Sequence, residues 1–470
     1  MLFNSIEFLV FFPVVTLLYF LSPSQFRWFV LLVASCYFYM FFIPVYILIL
    51  FFTIIIDYIA GIMIEKERHH KKLFLILSLV ANIGILAVFK YFNFLAANIN
   101  AVADKDLVPL LNIILPIGLS FHTFQAMSYT IEVYRGKQKA ERHLGVYALY
   151  VMFYPQLVAG PIERPQNILP QLRKKHSFNA ALMYSGLRLM LWGLFKKVVV
   201  ADRLSIYVDA VYSNPGHYTH YLNIIIAFVF FSIQIYCDFS GYSDIAIGAA
   251  RVMGIDLMVN FNRPYFSKNV REFWAKWHIS LSTWFRDYLY IPLGGNRVKI
   301  RRLYFNTAIV FLLSGLWHGA NWTFVIWGAL HALFIIFNIA FGKYFFKKQN
   351  IINNLVSLLI TFSVVTLAWA FFRAANFPDA LLLLKNVLSL NHADPFYPLV
   401  TVKGIEFGIS ALLISVFVIV FTIIVERKTD TLLLSLDRKP ATDVLFCSLV
   451  LIMVILLGVF QKNSFIYFQF

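Results

Sequence analysis

Apolar runs long enough to cross a lipid bilayer recur along this chain from Glu7 to Phe460. A helix rising about 1.5 Å per residue needs roughly 20 such residues to span the hydrocarbon. Runs this frequent leave no room for a sizeable soluble domain. Of the 470 residues, 60% are hydrophobic and 13% charged, against about half and about a quarter in a soluble domain. The expected fold is therefore all-α and polytopic, a single membrane-embedded domain over residues 1–470. No internal repeat, low-complexity tract or flexible linker divides it. Secondary transporters often repeat one half in the other, so the lack of a repeat counts mildly against that class.

Hydropathy places about eleven to twelve crossings. They fall near 7–22, 26–41, 43–64, 73–95, 110–134, 180–200, 221–250, 303–319, 322–342, 353–373, 404–425 and 440–460. Basic loops orient them. Glu65 to Lys72, Arg135 to Arg142, Arg297 to Arg302, Lys343 to Lys348 and Arg427 to Lys439 read as cytoplasmic. Asn98 to Pro109 and Asp202 to His220 read as external, and both termini close outside. The first apolar run follows no positive n-region and precedes no small-residue cleavage site, so it is expected to be a retained span.

Two segments fit poorly as spans. Tyr147 to Pro170 contains Pro155, Pro161, Pro165 and Pro170, and Arg271 to Pro292 mixes Trp, Arg, Lys and Asp. Both begin and end beside cytoplasmic basic stretches, so they are expected to be re-entrant or interfacial helices. Irregular backbone at membrane depth requires cover from protein or a water-filled cavity.

The net charge of +17 would point to nucleic acid in a soluble protein. Here the basic residues gather in short loops, so membrane lipids are the implied partner and nucleic acid is not. Some of those loops also suit an anionic acyl donor. Cys36, Cys237 and Cys447 each lie in apolar segments without metal-ligand spacing, and read as buried apolar thiols. No metal site, phosphate-cradling glycine loop or Gly-x-Ser-x-Gly elbow appears.

The chemistry-bearing groups are few. Leu313-Ser314-Gly315-Leu316-Trp317-His318-Gly319-Ala320-Asn321-Trp322 sets an ionisable histidine in an apolar run. Such a group is costly at membrane depth and is read as functional by default; histidine also suits proton transfer near neutral pH. Ser314 lies one turn before His318, and Gly315 with Gly319 allows close backbone approach. Taking 271–290 as one helix, Phe273, Trp277, Leu281, Trp284 and Tyr288 form an aromatic stripe. Trp274, His278 and Ser282 then share a neighbouring face, where His278 either enters a cavity or joins an interfacial belt. His331, beside Gly328 and Ala329, suggests ordinary packing.

Gln234 to Asp244 is unusually polar for a span, and Asp238 there must be paired or protonated. It either orients a histidine or bonds the basic re-entrant segment, or it belongs to a network holding a cavity together. His122 with Gln125, and Glu163 with Arg164, read as structural polar groups. Gly294-Gly295-Asn296-Arg297 reads as a cytoplasmic turn that also suits a phosphorylated donor.

Several uncommon motifs occur here in order: Val158-Ala159-Gly160-Pro161-Ile162, Tyr236 to Asp244, Phe261-Asn262-Arg263-Pro264-Tyr265-Phe266, Glu272-Phe273-Trp274, Trp277-His278, Trp284-Phe285-Arg286-Asp287-Tyr288 and Leu316-Trp317-His318-Gly319. They cover roughly residues 120–340 and resemble the membrane-bound O-acyltransferase family, most closely its bacterial alginate O-acetyltransferase branch. The teichoic-acid D-alanyl transferase branch is a near relative. The resemblance implies a multi-helix fold around a central funnel, with His318 as principal catalytic residue and His278 as its partner. Asp238, Ser282 and Asn321 are supporting candidates. It further implies an inner-membrane enzyme that takes an acetyl group from acetyl-CoA or another acyl thioester, a substrate and not a tightly bound cofactor. The group would cross the membrane to an extracytoplasmic polysaccharide, with a separate extracytoplasmic acetyltransferase completing delivery. A transporter with a histidine proton relay is the rival class.

Overall fold

The computed structural model describes residues 1–67, 69–345, 350–392, 400–402, 405–428, 440–460 and 465–466. The chain forms two compact units, one of residues 1–190 with 242–258 and one of 191–241 with 259–470.

The first unit begins with α1 (Ile6–Leu21) and α2 (Arg27–Met40). The long α3 (Ile47–Lys66) follows, then α4 (Lys71–Leu86) and α5 (Phe92–Ala103), joined by a π-helical turn at Ala87–Tyr91. The next element, α6 (Leu119–Tyr134), corrects the span expected over 110–134. Pro116 disfavours helix in the residue before it, and Gly118 takes φ +79° at the helix start, so the helix cannot begin earlier.

The proline-rich stretch is interrupted as expected: α7 (Leu144–Met152), α8 (Tyr154–Leu157) and α9 (Pro165–Arg173) are short, the first two largely buried and the third buried on one side only. Pro155 and Pro165 sit in first turns, where no N–H is needed. Glu163 accepts hydrogen bonds from Asn167 Nδ2 (2.7 Å) and from the Met258 amide, and Arg164 donates to Ser128. These groups hold the interruption together, as does Gln125 on the Tyr150 carbonyl, while His122 meets Thr53 (2.5 Å) between α6 and α3. The helix α10 (Ala180–Phe195) leads out of this unit.

In the second unit a π-helical turn, Lys196–Ala201, runs directly into α11 (Asp202–Ser213). The external loop expected from Asp202 to His220 is therefore mostly helix, and that helix is largely buried; its acidic residues pair with basic ones elsewhere, Asp202 with Lys197 and Asp209 with Arg373. Next come α12 (Tyr221–Val252), whose last residues belong to the first unit, α13 (Val270–Lys276) and α14 (Ile279–Phe285). They are followed by α15 (Ile300–His318), α16 (Trp322–Phe345), α17 (Ile351–Arg373) and α18 (Phe377–Leu388). That last helix was not expected; Asn376 caps it by accepting from Asp379 N.

A short antiparallel ribbon, β1 (Val400–Val402) with β2 (Ile405–Phe407), precedes α19 (Ile409–Lys428) and α20 (Pro440–Leu457). These are the strands among the described residues, and they displace the start of the span expected at 404. Expected basic stretches at 343–348 and 427–439, and Arg68, fall wholly or partly outside the described residues.

Six of the described helical stretches are long and apolar enough to cross a membrane alone. The other expected crossings appear as shorter or more polar helices. Lipid-facing surfaces are plain on α1 and α20, where Ile6 is 77% and Leu445 71% exposed. Cys237 is buried as expected, but Cys36 and Cys447 are only half-buried; none of the three forms a disulfide.

Candidate active site

The segment carrying His278 is not one helix. The row Trp274, His278, Ser282 breaks at its middle, since α13 ends at Lys276, Trp277 is extended and His278 takes φ +43°. A side chain bearing Cβ pays for this left-handed conformation, and such outliers gather at functional sites. Asn260 holds the break. Its backbone carbonyl accepts from Ile279 N (2.8 Å). Its side-chain Oδ1 takes Ser280 N (3.3 Å), Ser280 Oγ (2.9 Å) and His278 Nδ1 (3.1 Å). The stripe survives the break, with Phe273, Trp277, Leu281 and Trp284 all buried.

These contacts define a tautomer. A backbone N–H only donates, so the Asn260 atom facing Ser280 N is the oxygen, and His278 Nδ1 must carry the hydrogen it gives to that oxygen. The lone pair of neutral His278 is then on Nε2. Around the ring stand Phe239 (centroids 4.6 Å apart), Phe261 (6.3 Å) and Trp317 (6.1 Å).

His318 is the last residue of α15 and is 3% exposed. Its ring lies against Trp317 (4.9 Å), Trp327 (5.0 Å) and Phe372 (5.3 Å). Trp317 thus touches both histidines and links them in one aromatic cage. Glycine makes the cage possible. A Cβ on Gly315 would come 2.3 Å from the Phe324 carbonyl oxygen, and one on Gly328 2.3 Å from that of Phe311. Only bare backbone lets α15 and α16 approach this closely.

His331 belongs to the same cage. It is fully buried, shares Trp327 with His318 at 4.9 Å, and its Nδ1 accepts from Trp274 Nε1 at 3.2 Å. Its hydrogen is therefore on Nε2, the opposite of His278. Packing, as its neighbours suggested, is one part of its role; orienting Trp274 is the other.

A cavity of about 590 Å³ opens beside this cage. Arg271, Arg286 and Asn296 line it with Ser282, Thr283, Thr307 and Ser314, against apolar walls that include Trp274, Phe311 and Ile335. Its lining follows α15 from Leu303 to Ser314, about 16 Å of helix, and stops one turn short of His318.

The supporting candidates separate. Ser282 lines the cavity and donates to the Trp277 carbonyl (3.2 Å). Asn321 serves its own helix instead, accepting from Thr323 N (3.1 Å) and donating to the Ala375 carbonyl (3.2 Å). Asp238 bonds neither histidine nor the re-entrant segment. It pairs with Lys197 (2.7 Å), which also meets Asp202 (2.9 Å). Alongside, Lys196 donates to Ser240 (2.9 Å) and lies 3.9 Å from Glu426, which accepts from Tyr236 (2.8 Å). This is the network reading of Asp238. Buried charges require such pairing. Asn260, Trp327, Phe372 and the two lysines went unnoticed in the sequence; two adjacent lysines in an apolar run were the available signal. Among the described residues no cluster of three His, Cys, Asp or Glu could hold a metal ion.

Residues 143–373 match the membrane-bound O-acyltransferase family. The chain is similar to the peptidoglycan O-acetyltransferase of Helicobacter pylori, 37% identical over 83% of this chain and 80% of that one. It is 38% identical to a probable alginate O-acetylase, AlgI, of Pseudomonas aeruginosa, over 80% of this chain and 72% of that one. The teichoic acid D-alanyltransferase of Bacillus subtilis is 29% identical over 57% of this chain and 70% of that one.

Proposed function

Because the chain belongs to the membrane-bound O-acyltransferase family, we propose that it takes an acetyl group from a cytoplasmic acyl thioester such as acetyl-CoA and passes it across the inner membrane. The final acceptor is a hydroxyl of an extracytoplasmic polysaccharide such as alginate, reached through a separate extracytoplasmic acetyltransferase. The observation that carries the reading is the aromatic cage that joins His278 and His318 through Trp317.

Transfer needs a base for the acceptor hydroxyl and a route for the donor. His318 takes the hydroxyl proton as that oxygen attacks the thioester carbonyl carbon. The tetrahedral intermediate collapses with cleavage of the C–S bond, and the thiolate leaves and takes up the proton. With its hydrogen held on Nδ1, His278 presents an acceptor at Nε2; that suits orienting the incoming hydroxyl better than stabilising an oxyanion, which needs a donor. The cavity along α15 supports the donor route, with Arg271 and Arg286 suited to phosphate groups of the donor.

Acetyl is favoured over D-alanyl because the relatives named for acetylation are more similar, 37–38% against 29% identical. Purified protein given labelled acetyl-CoA and, separately, a D-alanyl carrier donor distinguishes the two. His318→Ala is expected to abolish transfer while leaving membrane expression normal. Transfer at the wild-type rate in that variant sinks the assignment.

A further inference from the structure

The charge network around Asp238 ends on an unexpected partner, the C-terminal segment. Phe465 and Ile466 are each 2% exposed. The Ile466 amide donates to Asp238 Oδ2 at 2.7 Å, while Oδ1 of the same carboxylate meets Lys197. A hydrogen bond to an ionised carboxylate is shorter and about twice as strong as a neutral one. The π-helical turn at Lys196–Ala201 supplies a second tether, since the Val198 carbonyl accepts from Val459 N at 2.9 Å. A third comes from Arg203, which donates to the Leu457 carbonyl at 2.5 Å. Leu457 at the end of α20, Val459 and Ile466 are thus held by Arg203, Val198 and Asp238 respectively.

What this holds in place matters. Asp238 and Phe239 are consecutive on α12. The Phe465 ring meets Phe239 edge-on at 5.4 Å, and Phe239 in turn meets His278 edge-on at 4.6 Å. Phe239 also packs on Phe261 at 5.0 Å, so His278, Phe239 and Phe261 form one set of rings backed by Phe465. We infer that the Phe465–Ile466 segment is a positioning element for His278, clamped by Asp238 and Lys197 and acting through Phe239. Its catalytic consequence rests on the acyl-transfer reading above; its structural consequence does not.

Phe465→Ala in the full-length chain tests the inference. The readout is the rate at which diethyl pyrocarbonate modifies each histidine, followed by peptide mass spectrometry, with His331 as internal reference and thermal unfolding in parallel. Loss of the backing ring is expected to raise the His278 rate at least about tenfold over that of His331, with kcat falling about tenfold and donor KM held within about twofold. Phe465→Leu, which keeps most of the volume, is expected to restore both. Asp238→Asn, which weakens the clamp without touching the rings, is expected to move His278 the same way and to add little on top of Phe465→Ala. An unchanged His278 rate, or His278 and His331 rising together, overturns the inference. The modification rate needs no turnover, so it decides the positioning role even if the acyl-transfer reading fails.

Discussion

Asn260 is the residue on which the His278 geometry turns, and its removal has a calculable effect. In Asn260→Ala, three donors lose one acceptor: His278 Nδ1, Ser280 N and Ser280 Oγ. A buried donor left unsatisfied costs about 1–3 kcal/mol, but a hydroxyl can rotate toward another acceptor. Two donors then remain stranded, so the fold loses roughly 2–6 kcal/mol. The catalytic loss is separate. His278 becomes free to place its hydrogen on either nitrogen and to relax from φ +43°. One lost orienting interaction of about 1.4–2.8 kcal/mol corresponds to a 10- to 100-fold fall in kcat, at about 1.4 kcal/mol per tenfold. The assay is acyl transfer from labelled donor by purified protein in nanodiscs, with unfolding followed on the same samples. Donor KM should hardly change, because the cavity beside α15 is untouched. Asn260→Asp keeps an acceptor oxygen and should recover much of kcat. A variant Asn260→Ala that turns over within about twofold of wild type, with normal stability, would refute the tautomer argument.

Gly315→Ala would drive a methyl group to 2.3 Å from the Phe324 carbonyl oxygen. The α15–α16 hairpin must then open, which should cost about 1–3 kcal/mol in thermal unfolding and lower activity through His318. Unchanged melting would contradict the close approach. Glu163 predicts a pH effect. Burial pushes its carboxyl from 4.5 up to about 7, against hydrogen bonds from Asn167 and the Met258 amide. Since the folded value is raised, its contribution is fully present below about 4.5 and is lost as pH rises through about 7, roughly 3 kcal/mol in all. Glu163→Gln should flatten that part of the stability profile, measured by unfolding in detergent from pH 4 to 8; an unaltered slope rejects the assignment.

Much was legible in the residues alone. The apolar runs placed nearly every long helix, because a membrane helix must satisfy its own backbone and cover about 30 Å with apolar side chains. The prolines from 155 to 170 marked an interrupted region, and Gly315 in the Ser314–Asn321 stretch marked a close helix contact. Both follow from local chemistry: a missing N–H in one case, a missing Cβ in the other. His318 stood out because an ionisable ring in an apolar run is expensive and needs a reason; His278 was marked by the family resemblance.

What periodicity misjudged is equally instructive. Arg271 to Tyr290 has a clean helical stripe, yet it breaks at His278, because Asn260, 18 residues away in sequence, offers an acceptor oxygen that the bent backbone uses better than the helix does. The polar stretch after Ala201 looked like an external loop, yet it is mostly helix, and its first acid, Asp202, pairs with the buried Lys197. Asp238 had three readings in the sequence, and only the approach of Lys197 and of Ile466, 228 residues further on, chose among them. The sequence by itself determined a membrane-embedded helical protein with an ionisable His318 in an apolar run, since burial cost and helix period are properties of neighbouring residues; the enzyme class and the pairing with His278 came with the resemblance to the acyltransferase family. Which nitrogen of His278 carries the hydrogen, which rings surround it and what holds the chain end were decided by tertiary structure. Each depends on groups far apart in the chain meeting within hydrogen-bond or ring-contact distance, and no local pattern encodes that meeting.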